Sequence, residues 1–232
     1  MKENIITFII PTIGRSTLIN SINSLKNQTI KDWRAIIIFD GISSNISDIN
    51  DIRIKILECD KKGININSAG EVRNYGMSFV ETNWIAFLDD DDTIDNDYIQ
   101  TFYNEINNYN NLDLDVIIFR MNDNEKIIPK IKTDNFYICD VGISFIIKKS
   151  IFEEGYKFIP DGAEDFLYLD KLRKEGKKIM ISPYVKYNVK KINFIKNNQV
   201  GNRVFINIKN ELLDAFCYIF YNIYKNKNEN IN

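Results

Sequence analysis

What most restricts the fold of this chain is the rhythm of its first ninety residues. Short apolar runs alternate there with segments of helical periodicity. Ile5–Ile10 is a continuous apolar run ended by Pro11, as expected of a strand buried on both faces. Ser16–Gln28 follows, with Leu18, Ile22 and Leu25 at helical spacing. Trp33–Phe39 is a second apolar run, cut by Asp40-Gly41, and Ile54–Leu57 is a third. Ser68–Val80 has a helical pattern, and Trp84–Leu88 is a fourth strand running into Asp89–Asp92. Strand, helix, strand in this order predicts an α/β fold with a mostly parallel sheet and helices on its faces. In such sheets ligands bind beyond the carboxyl ends of the strands. The residues to watch are therefore Thr12, Arg15, Asp40 and Asp89 to Asp92.

The second half is less regular. Helices are expected over Asp97–Asn107 and Glu164–Glu175, and strands over Val116–Met121 and Gly142–Ile147. With no internal repeat and no Pro-, Gly- or Ser-rich linker, residues 1–200 read as one domain in two parts, about 1–95 and 96–200. Residues 201–232 form an extension. Within it Phe205, Ile208, Leu212, Phe216, Ile219 and Ile223 recur at three- and four-residue steps, which predicts an amphipathic helix and then a polar, frayed end. Such a helix packs on its own domain, pairs two copies, or lies against a membrane surface.

Composition narrows the chemistry. Among 232 residues there is no histidine, so Ser-His-Asp and Cys-His catalysis and histidine metal sites are excluded together. Acid–base work must come from Asp, Glu, Lys, Tyr or a bound metal. Three scattered cysteines, Cys59, Cys139 and Cys217, form no CxxC and read as reduced thiols of a cytoplasmic protein. No apolar run approaches the ~20 residues of a membrane span. Net charge is −2, which speaks against a nucleic-acid partner. Charge is uneven, however. From Gly176 to Asn210 there is no acidic residue but there are Lys177, Lys178, Lys186, Lys190, Lys191, Lys196, Arg203 and Lys209. This is either a solvated basic face or a site for a phosphorylated or membrane-surface acceptor.

Three clusters could carry chemistry. Four adjacent carboxylates at a strand end, Asp89 to Asp92, repel one another, and a hard divalent cation, Mg²⁺ or Mn²⁺, relieves that repulsion. The bland alternative is an acidic turn with Asp92 or Asp95 capping the next helix. Arg73, in Ala69–Gly76, belongs near the same strand ends, opposite carboxylates and phosphate. Glu164-Asp165 begins a helix. It serves there either as a first-turn charge or, in a chain without histidine, as the source of a general base.

These segments, taken in order, resemble family 2 glycosyltransferases of the GT-A fold. Ile9-Ile10-Pro11-Thr12-Ile13-Gly14-Arg15 is similar to that family's opening strand and turn, with Gly14 in place of the usual Asn. Ser24-Leu25-Lys26-Asn27-Gln28-Thr29 is similar to its S-x-x-x-Q-T. Ile38-Phe39-Asp40-Gly41 is similar to V-D-D-G-S, with one acid rather than two. Ala69–Gly76 is similar to G-x-A-R-N-x-G, and Phe87-Leu88-Asp89-Asp90-Asp91-Asp92 to the metal-binding F-L-D-x-D-D. Gly162-Ala163-Glu164-Asp165, with Leu172–Ile179 behind it, is similar to the G-E-D helix and the turn into the next strand.

The resemblance implies a nucleotide-binding first part and an acceptor-binding second part. It implies an inverting, metal-dependent transfer from a nucleoside-diphosphate-sugar, most simply a UDP-sugar, to a hydroxyl of a glycan or lipid-linked glycan in bacterial surface assembly. Asp165 would be the catalytic base and Asp91, assisted by Asp89, the metal ligand. Pro11, Thr12, Arg15, Asp40, Arg73, Asp89 and Asp90 would surround the nucleotide, and Gly142, Ser144 and Glu164 the donor sugar. No Q-x-x-R-W of processive synthases is present, which implies single addition. Two other readings stand beside this one. Asp89-x-Asp91-x-Thr93 also matches the nucleophile motif of haloacid-dehalogenase-type phosphatases, and a non-catalytic sugar-nucleotide-binding protein would show the same pocket.

Overall fold

The computed structural model describes residues 6–44, 49–63, 69–109, 112–123, 126–130, 136–161 and 163–190. The expectations for the helix over 203–224, its frayed tail and the basic residues beyond Lys190 lie outside the described residues.

Among the described residues, five helices and nine strands follow one another as β1 (Ile6–Thr12), α1 (Leu18–Lys26), β2 (Arg34–Asp40), β3 (Ile54–Cys59), α2 (Gly70–Met77), β4 (Trp84–Phe87), β5 (Thr93–Ile94), α3 (Tyr98–Asn108), β6 (Val116–Asp123), β7 (Lys126–Ile128), β8 (Phe145–Lys148), α4 (Lys149–Glu153), α5 (Glu164–Lys174) and β9 (Ile179–Asn188). Among the described residues all nine strands join one sheet in the order β3-β2-β1-β4-β8-β6-β9-β5, with β7 on β6. The first half is parallel throughout, β2 beside β3 and β1 between β2 and β4. The second half is mixed, because β8 is antiparallel to both β4 and β6, and β5 is antiparallel to β9.

The buried apolar runs follow from this layering. Every residue of β1 is buried, since helices cover both faces and strands flank both edges. The strand does not stop at Pro11 but continues to Thr12. The reason lies in the ladder. The carbonyl of Ile9 accepts from Leu88 N, so odd-numbered residues of β1 face β4, and pairing with β4 ends at Ile9–Phe87. The missing N–H of Pro11 falls past that end and costs little. Helix α2 lies close on the sheet at Gly76, where a Cβ would stand 2.7 Å from Ile38 Cδ1 and 3.0 Å from Ile9 Cγ2.

The short strands β5 and β7 and the five-residue α4 carry too few residues for periodicity to show. Strand β9 is long but mostly half-exposed, so it lacks an apolar run. Part of the basic stretch lies along it and is neutralised locally: Lys177 pairs with Glu154, and Lys186 with Asp97 at 2.7 Å. Cys59 is a free, half-buried thiol, and Cys217 lies outside the described residues. Among the described residues no helix is long and apolar enough to cross a membrane.

Candidate active site

The carboxyl ends of β1, β2 and β4 and the N-terminal ends of α2 and α5 meet at one edge of the sheet. The acidic turn after β4 occupies its centre. Its four carboxylates alternate in environment. Asp90 and Asp92 are buried, while the Asp89 and Asp91 side chains keep about a third of their surface exposed, 33% and 34%. Asp90 accepts from Thr12 Oγ1 at 2.6 Å and from Arg15 Nη1 at 2.9 Å. Asp91 takes a longer contact, 3.3 Å, from the same Arg15 nitrogen. Asp92 accepts from Lys190 N at 2.9 Å and from the Tyr187 hydroxyl, and Tyr187 Oη in turn accepts from Asp89 N. Burial, with the Asp89 charge second, pushes Asp92 up to about 7. Burial also raises Asp90, against the pull of Thr12 and Arg15.

The repulsion within the quartet is met in part by two arginines and neutral donors. No cluster of three or more metal-binding side chains occurs among the described residues. Mg²⁺ and Mn²⁺ need only one or two carboxylates when phosphate oxygens and water complete their shell. The two half-open side chains, Asp89 and Asp91, are of the right kind and number for such an ion.

Behind the turn lies a buried charge cluster. Arg73, on α2, is 3% exposed. Its Nη2 donates to Asp89 Oδ1 at 2.6 Å and its Nη1 to Glu164 Oε1 at 2.5 Å, with Asp165 Oδ1 at 3.7 Å. These three carboxylates outweigh the cost of burial and raise the affinity of Arg73 for its proton. The Glu164 carboxylate also receives the first amides of α2, Ala69 N at 3.1 Å and Gly70 N at 3.0 Å. Glu164 is thus a cap supplied from 94 residues away, at a helix whose own N-cap, Ala69, has no side chain able to do it.

Asp165 differs from Glu164. Its Oδ1 is buried with no hydrogen-bond donor among the described residues, and the side chain as a whole keeps 25% exposure. Burial pushes it up to about 7. Arg73 pulls it down, and Asp89 and Glu164 push it further up.

Gly70 makes room for the cap. A Cβ there would stand 2.6 Å from Glu164 Oε2 and 2.7 Å from Phe158 Cβ. Gly70→Ala is expected to lower stability by about 1–3 kcal/mol in urea denaturation, because Phe158 cannot yield and Glu164 must leave the amides. Unchanged stability would show that the cap is dispensable.

Several expected site residues have other duties. Asp40, 4% exposed, is filled by Lys61 Nζ, Lys62 N at 2.6 Å and Gly63 N at 3.1 Å. Burial raises this carboxyl, but those three donors together hold it below its ordinary value. Asp40 anchors the loop after β3. Ser144, just before β8, is wholly buried, and its hydroxyl donates to Phe119 O of β6 at 2.7 Å. The Glu164 carboxylate is taken up by the first amides of α2 and by Arg73. Pro11 is buried in β1 opposite Ile38, and half-buried Gly142 lies against Met121.

Ser24 and Gln28 entered the sequence reading only as part of a motif, and the polar face that they form with Ser21 along α1 and the turn after it was missed. Ser21 Oγ donates to the carbonyls of Asp92 and Asp89, Ser24 Oγ accepts from Ile94 N, and Gln28 donates to Asp95 O and accepts from Ile99 N. These residues hold the main chain from Asp89 to Ile99. The signal was present, since they sit at three- and four-residue steps on the same side of α1 as its apolar stripe. Tyr187, which braces the turn from β9, left no signal.

Comparison with known proteins agrees with this geometry. A family model described as glycosyl transferase family 2 matches residues 7–161. Poly(ribitol-phosphate) β-N-acetylglucosaminyltransferase TarP of Staphylococcus aureus is 25% identical, over 90% of this chain and 71% of its own length. Glycosyltransferase GlyG of Streptococcus pneumoniae is 23% identical, over 66% of this chain and 49% of its own. The putative glycosyltransferase EpsH of Bacillus subtilis is 30% identical, over 43% of this chain. The chain spans about half or less of GlyG and EpsH, 49% and 30%. Among solved structures, residues 1–349 of S. aureus TarS in complex with UDP superpose with a TM-score of 0.67 at 18% identity, covering 81% of this chain and 60% of that one. The UDP-GlcNAc complex gives 0.66. The expected fold is therefore the observed one, a single α/β domain shared with these GT-A proteins.

Proposed function

Because the chain belongs to glycosyl transferase family 2, we propose that it moves a sugar from a nucleoside-diphosphate-sugar to an acceptor hydroxyl by one displacement with inversion. The observation that carries this reading is the pairing of two differently placed carboxylates at one Arg73. Asp89 belongs to the half-open acidic turn, and Asp165 is a partly exposed carboxyl lifted to about 7. A group with that proton affinity, facing an acceptor hydroxyl, accepts its proton at neutral pH as the oxygen attacks the anomeric carbon. Arg73 and Glu164 fix where that carboxylate stands. Arg15, 39% exposed at its side chain and bridging Asp90 and Asp91, offers a cation to the diphosphate.

Mn²⁺ or Mg²⁺ held by Asp91 with Asp89 would supply charge neutralisation of the leaving diphosphate. A UDP-sugar is the donor of choice, since TarS is known with UDP and UDP-GlcNAc. The acceptor is a glycan or lipid-linked glycan of a bacterial surface polymer, in keeping with TarP, named for transfer to poly(ribitol-phosphate). Nucleotide sugars place the reaction in the cytoplasm. Nothing in the described residues favours the phosphatase alternative, because its motif would sit on β4 rather than on the opening strand.

The test is a thermal-shift series of UDP-, GDP-, CDP- and dTDP-sugars with and without Mn²⁺. A UDP-sugar at a hundred times its dissociation constant adds about 2.7 kcal/mol, or roughly 5–10 °C for a domain of this size. The shift should shrink when the ion is chelated. If no nucleotide sugar moves the midpoint, the reading falls.

A further inference from the structure

Away from the acidic turn, helix α3 and strand β9 enclose a cleft of about 510 Å³, within the ~300–1,000 Å³ typical of small-ligand sites. Its lining includes Asp97, Asn104, Glu105, Asn108, Tyr184 and Lys186. Glu105 is 4% exposed, and its Oε2 has no hydrogen-bond partner among the described residues. A buried carboxylate oxygen left without a donor costs about 1–3 kcal/mol and calls for one from a ligand or water. The other oxygen takes the Ser182 hydroxyl. Around it Asn104, Asn107 and Asn108 are exposed, each able to donate and accept at once. Tyr184, 48% exposed, offers a ring with a polar tip.

Charge decides the class of ligand. Both Asp97 oxygens hold Lys186 Nζ at 2.7 Å, so that pair cancels. Glu105 remains, and its carboxylate repels phosphate and carboxylate ligands. What the cleft offers is an acceptor in need of a hydroxyl donor, several amides suited to adjacent hydroxyls, and an aromatic face for an apolar C–H surface. We propose that the α3–β9 cleft is a second binding site, for a neutral oligosaccharide. As a statement about the acceptor, this rests on the glycosyl-transfer reading: a glycan long enough to reach both places would be held here while its end is extended at Asp165. The site lies on the other face of β9 from the acidic turn. Tyr184 and Lys186 line the cleft, and Tyr187 contacts Asp89 and Asp92.

The experiment titrates the full chain with cellohexaose, chitohexaose, maltohexaose and laminarihexaose, and with an oligomer of glycerol phosphate, by calorimetry. At least one neutral hexasaccharide should bind, and Tyr184→Ala combined with Asn108→Ala should weaken it at least tenfold. The UDP-sugar thermal shift of that variant should stay unchanged, since neither side chain touches the acidic turn. Binding by none of the four, equal binding by the variant, or binding by the glycerol phosphate oligomer alone overturns the proposal. If a hexasaccharide binds in the cleft while no nucleotide sugar shifts the midpoint, the cleft stands and the transfer reading fails.

Discussion

Asp165→Asn is expected to reduce sugar transfer by 10²–10⁴-fold while leaving the UDP-sugar thermal shift within about 1 °C of the parent. The amide keeps the shape of the side chain and its place beside Arg73 but cannot take a proton. The pH profile of the parent enzyme should report the same group. With its carboxyl at about 7, Asp165 is protonated and idle in acid, so kcat/KM should rise with pH through that value and level off above it.

Stability should move the other way. A carboxyl lifted from 3.8 to about 7 in the folded chain binds its proton more tightly there than in the unfolded chain. Its favourable contribution is therefore complete below the unfolded value and disappears as pH rises through about 7. At pH 8 the Asn variant should be the more stable protein, by at most about 4 kcal/mol and by less in practice, because a quarter of the side chain meets water. At pH 4 the difference should vanish. Transfer rates and urea midpoints at the two pH values check both halves. An active Asn variant would remove Asp165 from the chemistry.

The second large effect belongs to Arg73→Met. Removing the guanidinium leaves Asp89, Glu164 and Asp165 facing one another around an uncharged side chain. Breaking a buried pair from one side costs about 3–5 kcal/mol, so the midpoint should fall by roughly 6–20 °C. Arg73→Lys should recover only part of this, since one ammonium cannot fork between Glu164 and Asp89. Adding Glu164→Gln to Arg73→Met should cost less than the two changes summed, because each removes the reason for the other. A loss below 1 kcal/mol in the single variant would mean that the cluster is not closed to water.

How much of this could be read from the chain depends on where each residue finds its partners. The first four strands, β6, β8 and helices α1, α2, α3 and α5 were legible, because each leaves an apolar run or an apolar period in the sequence. Strand β9 showed only through the resemblance, as the strand after the turn at Gly176, since most of its residues are half-buried and leave no clear pattern. The acidic turn was legible as a site, but the reason it holds together was not. Its counter-charges, Arg15 and Arg73, and the Tyr187 hydroxyl come from the loop after β1, from α2 and from β9. Glu164 and Ser144 show the limit most plainly. Both were expected at the donor sugar; the Glu164 carboxylate caps α2, and the Ser144 hydroxyl is bonded to β6 just before β8. Residue type and place in a motif do not reveal such partners, and only the packing does.

The acidic turn is closed by residues that leave the ribosome almost a hundred positions after it: Tyr187 from β9, and the amide of Lys190 just beyond that strand. A nascent chain can lay down β1 to β4 and still lack the hydroxyl that braces Asp89 and Asp92. At elongation rates of roughly 5–20 residues per second, that interval lasts about 5–20 s. Sugar-nucleotide grip should accordingly be the last property such a chain acquires during synthesis, and stalled products ending near residue 175 should remain unable to hold a donor.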